Sequence, residues 1–240
     1  MNDNLGGSVK ALVFDVFGTV VDWRGSVIRE LDALFGAKGI AVDRAAFADD
    51  WRGGYQPAMH RVRTGALPWT KIDALHRSIL DELLEKYRIG TLSEAEKDQL
   101  NRAWHRLDPW PDAVGGLQRL KRRFVIGTLS NGNMALLVNL AKHAGLPWDV
   151  VLSAELAHHY KPDPEAYRMV PALLDVPPSA VMLVAAHPND LAAAAKEGLK
   201  TGYVPRPMEW GLGRKPHDVS DKRFDVAASD FGHLATLLGA

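Results

Sequence analysis

The chain contains no cysteine, which excludes disulfides, thiolate nucleophiles and sulfur-ligated metal centres together. It also lacks an excess of either charge, because 29 Lys and Arg balance 29 Asp and Glu over 240 residues. No face-wide field then attracts a phosphate backbone or an anionic lipid surface, so neither nucleic acid nor membrane is an expected partner. No apolar run approaches the ~20 residues needed to span a bilayer. Residues Met1 to Val9 lack the basic start and apolar stretch of a secretory signal; they read as a short disordered lead-in, and the expected location is cytoplasmic. Internal repeats and low-complexity tracts are missing as well. The remainder, 47% hydrophobic and 24% charged, has an ordinary globular composition. Its length suits one large or two small domains with a full core.

Residues 10–15 form a short apolar run that ends in Asp15, the pattern of a buried strand with an acid at its carboxyl end. Similar runs recur at 124–130, 149–153, 181–186 and 199–204, and 226–228 adds an edge. Helical stretches near 134–144, 164–174 and 190–197 alternate with them. That alternation predicts an α/β fold, a doubly wound parallel sheet covered by helices on both faces. Between Asp22 and about Ala103 the pattern changes. Ile72, Leu75, Ile79 and Leu83 repeat at three or four residues, and Ser93-Glu-Ala-Glu96 has the form of a helix capping box. The expected organisation is an α/β core domain from 9–22 and 104–240 and an inserted helical cap domain over 23–103. Linkers at Asp22 and Trp104 to Pro111 would act as a hinge, with a cleft between cap and sheet.

Ligands of open parallel sheets bind beyond the carboxyl ends of the strands. Asp15, Ser130 with Asn131, Lys161 and Asp190 all fall there. Each alone reads equally as a helix cap, a turn or a solvated charge, but four from distant positions read as a site. The segments Phe14-Asp-Val-Phe-Gly-Thr-Val20, Leu129-Ser-Asn-Gly132, Lys161-Pro-Asp-Pro164 and the one ending at Asp190 resemble, in order, the four motifs of the haloacid dehalogenase superfamily. The resemblance covers nearly the whole chain and implies a Rossmann-like core with its helical cap. Phosphatases of that superfamily carry a second Asp at position 17, which protonates an alkoxide leaving group in an acidic, magnesium-binding site. Here Phe17 stands in that place. A halide needs no proton to leave, so a nucleophilic Asp15 beside an apolar wall suits attack on a carbon–halogen bond. The chain is thus similar to the L-2-haloacid dehalogenases, type II. That implies a small-molecule haloacid substrate, no cofactor, no metal and a homodimer. A phosphatase or phosphonate hydrolase of the same superfamily is the alternative, and a non-catalytic binding protein on the same fold is a further one.

The resemblance implies two steps. Asp15 displaces halide in line to form an aspartyl ester, and water then attacks its acyl carbon, so an S substrate gives an R hydroxy acid. Trp51-Arg52 resembles the family's Trp-Arg pair, with Arg52 meeting the departing halide; paired with Asp49 or Asp50 it would be a surface cap arginine instead. Lys161 holds Asp15 as the anion or is a structural counter-ion, and Tyr167 either fixes Lys161 or packs under a helix. Thr19, Ser130 and Asn131 offer donors to the substrate carboxylate or the ester oxygens, and the Phe17 and Gly18 amides would form part of an oxyanion hole. Asp190 is a base, or an acceptor orienting Lys161 and water. Ala185-Ala-His-Pro-Asn-Asp190 departs from better-known members, with His187 for an amide and Asn189 for an aromatic. His187 orients or activates water, or caps the following helix. Asn189 is grouped with the substrate-binding residues, as is Phe17. Trp23, Trp51, Tyr55 and Trp69 line a small slot favouring haloacetate and short haloacids, or belong to the cap core; Trp69 is taken as a lining residue. An Arg52–His187 pairing would assist fluoride departure. His158 and His159 are expected in a solvated loop.

Overall fold

The computed structural model describes residues 5–213, 219–220 and 222–240. In chain order, α1 (Leu5–Ser8), β1 (Ala11–Phe14) and β2 (Val21–Asp22) lead into the helices α2 (Trp23–Ala37), α3 (Arg44–Arg63), α4 (Ile72–Lys86) and α5 (Glu94–Asn101). After β3 (Asp108–Pro109) come α6 (Ala113–Lys121), β4 (Val125–Thr128), α7 (Met134–Ala144), α8 (Ala154–Ala157) and α9 (Pro164–Leu174). The chain closes with β5 (Val181–Ala185), α10 (Pro188–Lys196), β6 (Lys200–Tyr203), β7 (Val226–Ala227) and α11 (Phe231–Leu237).

Five strands form one parallel sheet in the order β4-β1-β5-β6-β7. Its centre is explained by the alternation of side chains across a strand. Leu12 and Phe14 of β1, with Met182 and Val184 of β5, pack into one buried cluster, while Val13, Leu183 and Ala185 pack into a second. With both faces covered by apolar packing, β1 and β5 read as continuous apolar runs, as parallel strands do.

The helical insert leaves and rejoins this sheet at one place, because β2 pairs antiparallel with β3 through Val21 with Pro109 and Asp22 with Asp108. Local sequence fixes the insert's helix starts. The Asp22 carboxylate accepts from Gly25 N to begin α2, Asp43 accepts from Ala46 N to begin α3, and Ser93 with Glu96 forms the expected capping box of α5. In α4 the buried positions Ile72, Leu75, Ile79, Leu80, Leu83 and Leu84 lie on one stripe. The cluster containing Leu12 and Phe14 continues through Trp23 and Trp104 to Phe47 and Leu80, so the insert packs on the sheet's apolar layer.

Two expectations about elements change. Leu5–Ser8 forms a helical turn within the stretch read as a disordered lead-in, whose first four residues lie outside the described ones. Residues 149–153 run beside β4 and the residues after it as isolated bridges, Gly127 with Val150 and Ser130 with Ser153, and not as a regular strand, although Asp149 N donates to Ile126 O and Thr128 N to Val150 O. Side chains complete the pairing there: the Asp149 carboxylate accepts from Ile126 N, and the Thr128 hydroxyl bonds both N and O of Leu152.

Candidate active site

The turn after β1 is folded tightly on itself. Val20 N and Val21 N both donate to Val16 O, and Gly18 N donates to Val21 O. The Gly18 amide is therefore committed within the turn, and the oxyanion-hole role expected for it does not hold. Gly18 lies at φ +83°, and a Cβ there would come within 2.2 Å of Glu209 Oε1. Only glycine meets both constraints.

Asp15 is buried at the end of β1 and both of its oxygens are engaged. Oδ1 accepts from Lys161 Nζ at 2.9 Å. Oδ2 accepts from the Thr19 hydroxyl at 2.7 Å and faces His187 Nδ1 at 2.9 Å. Thr19 Oγ1 in turn accepts from Ala186 N, which aims its hydrogen at Asp15. Burial works to raise the Asp15 carboxyl, but Lys161 and His187 outweigh it and hold the group well below the usual carboxylate range. Lys161 is the mirror case: burial opposes its charge, yet Asp15 and Asp190 keep it protonated above the ordinary lysine range.

Lys161 Nζ also donates to Asp190 Oδ2 at 2.5 Å, and the Tyr167 hydroxyl donates to Asp190 Oδ1 at 2.6 Å. Tyr167 therefore reaches the lysine through Asp190 and not by direct contact. The backbone of Lys161 is clamped by Asn131, whose Oδ1 accepts from Lys161 N and whose Nδ2 donates to Lys161 O. Ser130 Oγ accepts from Gly132 N, a bond that leaves its own hydrogen unused.

His187 occupies the N-cap position of α10 but makes no side-chain capping bond. Its ring lies between Asp15 and Glu209, with Nε2 at 3.0 and 3.1 Å from the two Glu209 oxygens. Although burial disfavours its charge, bonds to the two carboxylates raise its pKa to about 10. Asn189 is exposed on the first turn of α10.

From the insert, Tyr55 and Phe17 meet edge to face with ring centroids 6.4 Å apart. The Arg52 guanidinium lies 4.1 Å from the Tyr55 ring centroid and 5.7 Å from that of Trp23. Its Nε is buried without a hydrogen-bond partner. The acids offered as alternative partners are engaged elsewhere: Asp49 accepts twice from Arg24, and Asp50 accepts from Lys86 and Tyr87. Burial, opposed by Arg52, pushes the Tyr55 hydroxyl up to about 12. Trp51 packs against Phe47 and Trp104 and donates to His76 O, as core does, whereas Trp69 stacks on His158 and meets Tyr160 at a tilt. His158 and His159 are exposed.

These donors do not fit a divalent cation. Phe17 puts an apolar ring where a second carboxylate would stand, and the ammonium of Lys161 already bridges the carboxylates of Asp15 and Asp190. The arrangement instead suits a carboxylate nucleophile kept ionised by fixed cations, with the Phe17 ring two residues along and Tyr55 packed on it. Glu209, 2% exposed, escaped the motif reading, although it lies in the loop that follows the carboxyl end of β6.

Residues 9–198 match the family model of haloacid dehalogenase-like hydrolases. Over 219 residues the chain is 31% identical to (S)-2-haloacid dehalogenase 1 of Pseudomonas sp. (strain CBS-3), covering 88% of this chain and 92% of that protein. A crystal structure of a defluorinating L-2-haloacid dehalogenase superposes with TM-score 0.92 at 42% identity, covering 97% of this chain and 96% of the other. A second L-2-haloacid dehalogenase crystal structure gives TM-score 0.90 at 45% identity, over 96% and 99% of the two chains.

Proposed function

The chain belongs to the haloacid dehalogenase-like hydrolases, and from that premise we propose that it hydrolyses the carbon–halogen bond of short (S)-2-haloacids, giving 2-hydroxy acids. The observation that carries this reading is Asp15, buried and held ionised by Lys161, beside Phe17 in place of a second acid.

Asp15 Oδ1 accepts one hydrogen bond where Oδ2 is held by two residues, so Oδ1 is the freer nucleophile. Its lone pair forms the bond to C2 as the carbon–halogen bond breaks and the halide leaves with the bonding pair. In-line geometry sends the halide to the side of C2 away from Asp15, toward the insert. There Arg52, with a buried and unpartnered Nε, is the donor available to receive it. His187 stays on the Asp15 side, so its part belongs to the ester stage, and Arg52 without His187 meets a leaving fluoride. Fluoroacetate falls within the same reading, and fluoride release measured with an ion-selective electrode tests it.

The division into a core at 9–22 and 104–240 and a cap at 23–103 belongs to this account, with the β2–β3 pair as its stem. Trp69, beside Tyr160, is assigned to the rim of the cleft, and Ser130 to the substrate carboxylate. Among the described residues no helix is long and apolar enough to cross a membrane. A cytoplasmic homodimer completes the proposal on family resemblance, and light scattering of the purified chain tests the dimer.

The direct test is halide release from chloroacetate and (S)-2-chloropropionate with EDTA present. Release that survives chelation and vanishes in Asp15→Asn is expected. Failure to release halide, with magnesium-dependent phosphate release from phosphoesters instead, would overturn the reading.

A further inference from the structure

Glu209 is a buried carboxylate that neither motif nor mechanism has used so far. Its two oxygens face His187 Nε2, and Oε1 also accepts from Trp23 Nε1 at 3.2 Å. The opposite ring nitrogen faces Asp15 Oδ2. Ionised carboxylates only accept hydrogen bonds, so an imidazole set between two of them must donate from both nitrogens. Gly18 keeps this arrangement open, since a side chain there would displace the Glu209 carboxylate.

We propose that Glu209 is a positioning residue that holds His187 with both ring nitrogens donating, so that His187 Nδ1–H, together with the Thr19 hydroxyl, forms the oxyanion site at Asp15 Oδ2 during ester hydrolysis. This rests on the aspartyl-ester reading above and assigns His187 as an electrostatic donor and not as the base that activates water.

The step balances as follows. The oxygen of water bonds to Asp15 Cγ and gives its proton to Asp190, while the carbonyl pair moves onto Oδ2 between His187 and Thr19. The pair returns, the Cγ–Oδ1 bond breaks, and Oδ1 leaves as the oxygen of the hydroxy acid. It takes a proton from Lys161, which Asp190 replaces across their 2.5 Å bond, and the second proton of the attacking water leaves the new Asp15 carboxyl to solvent, restoring the carboxylate. Alkylation removes the charge of Asp15, so in the ester Glu209 is, among the described residues, the carboxylate that still holds His187 as a cation. Thr19, Asp15 and Glu209 face the ring region, Lys161 and Asp190 lie beyond Asp15, and Trp23 lies beyond Glu209.

The test compares wild type with Glu209→Gln and Glu209→Asp by following halide and hydroxy acid separately with (S)-2-chloropropionate. Glu209→Gln is expected to release about one equivalent of halide in a burst and then turn over on the order of a hundredfold more slowly, the effect of weakening one oxyanion donor. The alkaline limb of its kcat profile is expected to lie at lower pH than in wild type, because Glu209 is the carboxylate left to favour the His187 cation once Asp15 is esterified, and Glu209→Asp is expected to restore part of both. Unchanged kcat and an unchanged alkaline limb in Glu209→Gln would overturn the proposal, as would equal loss of the burst and of turnover. A wild-type enzyme that releases no halide would instead overturn the reading on which it rests. If the variant does not fold, ring-nitrogen NMR of histidine-labelled wild type decides the matter: both His187 nitrogens protonated at about pH 9 are expected, and a neutral ring there refutes the proposal.

Discussion

Replacing Lys161 by Met removes the one ammonium that bridges two carboxylates and leaves a side chain of similar length. Nζ lies 2.9 Å from Asp15 Oδ1 and 2.5 Å from Asp190 Oδ2, on a residue only 7% exposed. At an effective dielectric of ~20, one such contact near 3 Å is worth roughly 6 kcal/mol of attraction. Part of that is returned because the lysine no longer has to be desolvated, so the net loss expected on stranding the carboxylates is about 3–5 kcal/mol. Domain stabilities are about 5–15 kcal/mol, so the variant should fold with a much lower urea midpoint. The loss should also depend on pH. In wild type the depressed Asp15 carboxyl contributes stability above its unfolded value of 3.8, lost only as pH falls through the lower folded value. In the variant His187 is the cation left to oppose burial at Asp15, so the carboxyl rises relative to wild type, and protonation of the stranded carboxylates relieves the loss as pH falls. Urea unfolding of both proteins at about pH 8 and about pH 5 should show the gap narrowing by about 1–2 kcal/mol on acidification. A gap that stays constant or widens would refute the electrostatic account of this cluster.

Two further predictions concern the insert. Arg52→Lys keeps the charge but loses the planar fork over Tyr55, and halide release should slow on the order of a hundredfold with circular dichroism unchanged; an unaltered rate would remove Arg52 from the halide's path. His76 is fully buried with neither ring nitrogen partnered, stacked 4.2 Å from the Trp104 centroid, and burial reinforced by Arg52 pushes it down to about 3. His76→Phe should raise stability by about 1–2 kcal/mol at neutral pH by removing the unmet polar atoms. Because the folded value is depressed, His76 drains stability as pH falls from 6.5 to about 3, and the variant should lose less over that window. A thermal midpoint that drops at neutral pH, or a wild-type acid sensitivity retained in full, would contradict this.

The sheet was legible because its inner strands are buried on both faces, so β1 and β5 stand out as apolar runs, and the rule that ligands sit beyond strand carboxyl ends led to Asp15, Lys161 and Asp190. The structure gathers those three by direct bonds. What escaped was of another kind. Residues 149–153 have the composition of a strand, yet part of their bonding to β4 passes through the Asp149 and Thr128 side chains in place of a continuous ladder, which no hydropathy pattern encodes. Asn131 grips the backbone of Lys161, a role indistinguishable in sequence from a donor to substrate. Glu209 follows β6 within Arg206-Pro-Met-Glu-Trp210, and nothing local marks it as facing a histidine 22 residues earlier. The nearest signal was Gly18, whose missing side chain makes room for that carboxylate.

The central claim is that Asp15 becomes a covalent ester whose acyl carbon water attacks. A single turnover of (S)-2-chloropropionate with enzyme in excess in oxygen-labelled water, followed by mass spectrometry of the peptide containing Asp15 and of the product, tests it most directly. Label in Asp15 and an unlabelled hydroxy acid is the predicted result. Label in the hydroxy acid with none in Asp15 would mean that water attacks C2 itself, and would contradict the account.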